Sequence, residues 1–137
     1  MVSSQSGMFG DGKLERFSNW FSTFPRSTFP KDYLWFDKKC GGFIWYYMYS
    51  QDIVEPEELP IITFQGGLYA DTTDIDGKDN SEVISKIKEF IGNTKRFEED
   101  PSREYLGNII TPPSANKILG YNQMDYYVPI KVKDERQ

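Results

Sequence analysis

The chain contains no histidine. That removes Ser–His and Cys–His nucleophile pairs and every histidine-based metal site. Chemistry would fall to carboxylates, tyrosines or lysines. A single cysteine, Cys40, excludes an intramolecular disulfide and fits a reducing compartment. No apolar run is long enough for a membrane span, and no signal-peptide pattern opens the chain. Positive charge is also short: 16 Lys and Arg against 21 Asp and Glu leave a net charge of −5. Phosphate contact requires a basic surface, so direct nucleic-acid binding is not expected. An acidic surface modestly favours a cationic small molecule. These absences predict a cytoplasmic chain with no cofactor, no metal and no membrane partner.

Aromatic rings are plentiful: ten Phe, nine Tyr and three Trp, in a chain only 38% hydrophobic overall. The apolar area is therefore concentrated in rings, which fill a core and can also line a pocket for planar or cationic ligands. At 137 residues the chain is long enough for one domain with a real core.

One pattern is written twice. Leu14, Phe17 and Phe21 fall at steps of three and four beside Trp20, and Ile84, Ile87 and Ile91 repeat the spacing, with Phe90 in the place of Trp20. Each set predicts a short amphipathic helix. Strand-like runs precede them, 1–5 and 68–73, and two more apolar runs follow each. The expected fold is α+β: two tandem β-α-β-β repeats, 1–58 and 59–132, with a charged tail over 133–137. Pseudo-twofold pairing would give an antiparallel curved sheet with helices packed on it and a cleft between the halves. The second copy has a lead-in, Ile61 to Phe64, that the first lacks, so the sequence reads as cut from a longer protein.

Punctuation sets the elements. Asp11 is a candidate N-cap for a helix to about Phe24. A proline-bearing loop over 25–31 leads to the strand Tyr33 to Phe36, and a turn over 38–42 to the strand Phe43 to Tyr49. Residues 52–60 form an acidic connector. Asp79 and Glu82 have capping-box spacing for a helix from Asn80 to about Gly92. Strands are expected over 103–106 and 124–131, with a long connection over 108–121 between them and Met124, Tyr126, Val128 and Ile130 facing inward.

Several motifs carry no ligand chemistry. The run 72–77 resembles a calcium loop, but Thr72 and Val83 stand where two of the strongest ligands belong. Gly10-Asp11-Gly12 and Gly66-Gly67 lack phosphate-loop spacing and read as positions needing positive φ or a bulge. Cys40 has lysine neighbours that would lower its pKa, but with no histidine to act as base it reads as a turn residue. Glu104 has two readings. It is either a carboxylate in a ring-lined pocket or an outward strand residue paired with a nearby cation.

At Gly66-Gly67-Leu68-Tyr69-Ala70, Pro101-Ser102-Arg103-Glu104-Tyr105 and the run 124–131, in that order, the chain resembles the GyrI-like effector-binding family. These are small-molecule (multidrug-type) binding domains attached to many AraC-type and MerR-type bacterial transcription regulators, and also found alone. The resemblance implies a buried Glu104 receiving the cationic part of a lipophilic ligand, with Trp35, Trp45, Tyr47, Tyr105 and Tyr126 supplying rings. The partner is then a small organic cation, with any DNA-binding domain elsewhere in a longer chain. Two departures stand out: Arg103 precedes the glutamate, and the stretch 42–46 carries no second acid. The family implies two further alternatives, a glutamate-dependent hydrolase of strained electrophiles and a gyrase-type protein inhibitor. Binding without catalysis is the expectation.

Overall fold

The run Gly10-Asp11-Gly12 starts a helix by supplying both the turn and its caps. Gly10 and Gly12 adopt φ of 96° and 88°, a region that favours glycine. Asp11 accepts hydrogen bonds from the backbone N–H of Met8 and Lys13, both at 2.8 Å. Glu15 reaches back to the N–H groups of Gly10 and Gly12 at 2.6 and 3.0 Å. The helix α1 (Lys13–Phe21) begins there, with Gly12 rather than Asp11 at the N-cap. Tight turns carry the chain on to Phe24.

The computed structural model describes residues 1–25, 29–37, 39–53 and 59–134. It is α+β, with seven antiparallel strands and three helices. Two compact units divide the chain, Met1–Phe64 and Gln65–Gln137. Parts of the expected loop, turn, connector and tail (26–28, 38, 54–58 and 135–137) lie outside the described residues. No described helix is long and apolar enough to cross a membrane.

In the first unit β1 (Val2–Ser3), β2 (Asp32–Asp37) and β3 (Gly42–Tyr47) pair in the order β1-β3-β2. The register sets Asp32 opposite Tyr47, Leu34 opposite Trp45 and Phe36 opposite Phe43. Because side chains alternate, these six share one face. Phe17 of α1 packs on that face with Val2 and Tyr47, and Trp20, Phe21, Phe24 and Trp45 close around them. Leu14 and Phe17 are fully buried, each contributing about 1.5–3 kcal/mol of apolar burial. Ile61 bridges Val2, and Ile62 exchanges backbone hydrogen bonds with Met1. The expected lead-in to the second copy thus pairs with the first unit, which runs to Phe64.

The second unit is built on β4 (Leu68–Ile75), α2 (Ser81–Asn93), β5 (Phe97–Glu99), β6 (Leu106–Ile109), α3 (Pro113–Leu119) and β7 (Gln123–Val132). The long β7 holds β4 on one side and β6 and β5 along the other. Ile87 and Ile91 of α2 pack on Val128, Ala70, Tyr105 and Ile130, which fits the inward set expected of the last strand. The N-cap of α2 is Asn80, which makes no side-chain cap bond, rather than Asp79; Asp79, one residue earlier, accepts from Ser81 N–H at 2.9 Å. Phe90 is 66% exposed while Trp20 packs into the core, so these two residues are not equivalent.

Three elements differ from expectation. The strand predicted over 103–106 begins only at Leu106. The connection over 108–121 contains α3, which Pro113 starts in the first turn and Gly120 ends at φ 78°. The short β5 follows α2 at once, where Thr94 joins them by donating to Ile91 O and accepting from Phe97 N–H.

Arg103 explains the first difference. Its side chain turns inward, pairing with Asp100 at 2.9 Å and donating to the carbonyls of Leu68 and Ile130 at 2.7 and 2.8 Å. The guanidinium lies over the Tyr69 ring, 4.8 Å from its centre. A Cβ at Gly67 would overlap this guanidinium, whereas one at Gly66 would meet nothing. Neither glycine has positive φ, so close approach, not turn geometry, requires glycine at 67. Gly67→Ala should therefore destabilise the protein by about 1–3 kcal/mol, as overpacking does. Gly66→Ala should stay within about 0.5 kcal/mol of the parent. Urea unfolding of both variants checks this, and equal midpoints would remove the close approach.

Candidate functional site

The α1 caps also build a hollow. Glu15, Ser18 and Asn19 stand at steps of three and four, so they share one helix face. With Phe9 and Trp45 they line an open hollow of about 240 Å³ in the first unit. The Phe9 ring meets Trp45 at 6.3 Å with the planes 67° apart, forming an aromatic corner, and is backed by Phe43 at 5.2 Å. Trp45 is fixed on its other side by Phe17 and Phe21, at 6.3 and 5.3 Å. Its indole N–H donates to Asp32 at 3.0 Å. The ring is therefore held in place, and one side is left for a guest.

Glu15 supplies the charge. The Gly10 N–H, and after it Glu15's own and Gly12's, hold this carboxyl below the ordinary glutamate range. It stays ionised throughout the neutral and mildly acidic range. A fixed anion beside two ring faces is suited to an organic cation, since rings and carboxylate both attract it.

A second polar cluster lies in the other unit, on the face of β4, β6 and β7 turned away from α2. The register sets Thr73 and Asn108 on either side of Asp125, and Asp71 beside Tyr127. Thr73 donates to Asp125 at 2.6 Å, and the Tyr127 hydroxyl donates to Asn108 at 2.9 Å. Asn108 and Asp125 are buried. Asp71 is exposed as a residue, yet its carboxyl is pushed up to about 6, by burial first and then by the charge and hydrogen bond of Asp125. A carboxyl raised in this way can take up or release a proton near neutrality. Among the described residues no group of three or more His, Cys, Asp or Glu could hold a metal ion.

The residues expected to form the site are dispersed. Glu104 is exposed and lies outside any strand. It is not a buried carboxylate; its neighbour Arg103 is the residue that turns inward. The Ser102 hydroxyl, and after it the Arg103 guanidinium, hold the Asp100 carboxyl down to about 2. Tyr105 donates to Glu99 and carries Lys88 over its ring, and it packs on the α2 core together with Val128. Tyr126 is half-buried, on the α2 face of β7. Tyr47 is core. Trp35 pairs with Ile44, on the opposite sheet face from Trp45. Of the six, only Trp45 lines the hollow. Cys40 is exposed, and its thiol is raised by Asp37 rather than lowered by lysines.

Phe9, Glu15, Ser18, Asn19, Asp71 and Asp125 were missed as site residues. The i, i+3, i+4 spacing of Glu15, Ser18 and Asn19 was a usable signal. Asp125 gave a weaker one, since strand alternation placed it outward on a strand that is in fact buried on both faces. No protein-family model matches the chain, and no curated protein matches it.

The Asp71 shift has a consequence for stability. An acid raised above its unfolded value favours folding when protonated, so stability present below pH 3.8 is lost as pH rises through about 6. Asp71→Asn should be the more stable form near pH 7.5, by about 1 kcal/mol after allowing for solvent screening. That advantage should fade as the pH falls towards 4. Thermal melts across this range test it, and an advantage independent of pH would mean that the fold does not raise the Asp71 carboxyl.

Proposed function

We propose that this chain is a small-molecule-binding domain whose ligand is a compact organic cation seated in the Phe9–Trp45 hollow. The observation that carries the reading is Glu15, an anion fixed by backbone N–H groups at the edge of an aromatic corner. Size shapes the proposal. A volume of 240 Å³ falls below the range of drug-sized pockets, so the ligand is smaller than the lipophilic drugs expected from the sequence. Each ring would add about 0.5–1 kcal/mol of cation–π attraction at so open a site.

The resemblance to effector-binding domains supports a place in a bacterial transcription regulator. There the ligand's preference for one domain arrangement would shift DNA binding elsewhere in the chain. The order β-α-β-β in the first unit, and its recurrence as β4-α2-β5-β6 in the second before the added α3 and β7, supports descent from a tandem repeat.

A second reading, proton-transfer catalysis, is favoured by one observation. Asp71, at about 6, is poised for general acid–base work. Glu104, exposed, is not so placed.

The two sites differ in their pH response. Methylammonium and phenethylamine titrated against Trp fluorescence should each bind with an affinity unchanged from about pH 8 to pH 5 if Glu15 holds them. Affinity would fall below pH 6 if the Asp71–Asp125 pair did. Glu15→Gln should weaken binding about tenfold with the far-UV spectrum kept, while Glu104→Gln should not change it. Unaltered affinity in Glu15→Gln would sink the hollow as the site.

A further inference from the structure

From the composition of the hollow's polar wall we infer the ligand's head group: a primary ammonium on a short aryl or alkyl tail, not a quaternary ammonium. This rests on the cation reading above and narrows it. A primary ammonium carries three N–H donors and no acceptor, so leaving water requires three acceptors. The α1 face offers three side chains with acceptor oxygen, the Glu15 carboxylate, the Ser18 hydroxyl and the Asn19 amide, one turn apart on the same lining. The two Glu15 oxygens each accept one backbone N–H, from Gly10 and Gly12. A carboxylate has about four lone-pair sites, so a further donor can be accepted. The Gly10 and Gly12 bonds also hold the carboxylate where the ammonium would meet it.

The opposite wall is all ring. Phe9 is 55% exposed, and nothing on this side offers an acceptor from a side chain. A quaternary ammonium has no donors, so it would use this corner but form no hydrogen bond with the Glu15, Ser18 or Asn19 oxygens. A ligand with a donor head and an apolar tail satisfies both walls. At about 30 Å³ per water, the hollow holds on the order of eight waters. That is room for an aryl-ethylamine but not for a polycyclic dye.

The test is a matched series on the full chain by Trp fluorescence and calorimetry: phenethylamine, its N,N,N-trimethyl derivative and 2-phenylethanol. Phenethylamine should bind at least tenfold more tightly than either analogue. Asn19→Ala and Ser18→Ala, at helix-surface positions where the fold should persist, should each erode that preference while leaving the trimethyl compound unchanged. Equal affinity for the primary and quaternary forms would overturn the inference and leave the cation reading standing. So would a primary-amine preference that both alanine variants retain. If no cation binds, the cation reading itself fails.

Discussion

The hollow depends on one carboxylate meeting two backbone N–H groups. Glu15 accepts from Gly10 and Gly12, and the same contacts set the path of the segment that carries Phe9. The glycines provide left-handed turns, Asp11 ties Met8 to Lys13, and the first turn of α1 follows. Gly7 exchanges backbone hydrogen bonds with Phe43, so the segment is anchored to β3 at its other end. A helix start normally leaves N–H groups without partners, and an acidic side chain is a standard solution. Here the solution leaves a net anion beside two rings. Capping chemistry and ligand chemistry therefore share an atom, and loss of the charge should act on the site more than on the fold.

In the second unit one arginine has the corresponding role. Arg103 lies where β4 and β7 end, and its donors occupy carbonyls of both strands. Asp100 supplies the countercharge and Tyr69 the ring beneath. A guanidinium fits such a place better than an ammonium because its planar fork can address several acceptors at once. Glu104 beside it is exposed. The charge expected in a pocket at 104 is thus replaced by a buried cation at 103, and the acids that remain in this unit's interior are Asp125 and, at its edge, Asp71.

Most of the element order was legible because the helical periodicities were strong and the breakers were clear. Leu14 and Phe17, like Ile87 and Ile91, are buried where the spacing put them. The α3 helix, expected only as a long connection, starts with Pro113 in its first turn and ends at Gly120. Which of two adjacent charges turns inward could not be read from sequence. Arg103 and Glu104 compete for the interior, and the winner is set by distant carbonyls at Leu68 and Ile130. The ring assignments failed for a related reason. Trp35 and Trp45 are one strand apart in sequence, and only the register shows them on opposite faces.

The abundance of rings is then resolved by what lies behind each one. Tyr47 stacks on Phe21 and is enclosed by Trp20 and Phe24, so its area is spent on the core. Trp45 is held by Phe17, Phe21 and the Asp32 carboxylate and still has an open side. A binding ring must be fixed in orientation before a guest arrives, or ordering it consumes the attraction it provides. Trp45 meets that condition because the core does the fixing. Phe9 meets it less completely, being half-exposed, with the Phe43 and Trp45 rings beside it. The hollow is accordingly a rigid wall facing an adjustable one, suited to a small guest whose head group is specified by α1 and whose tail is not.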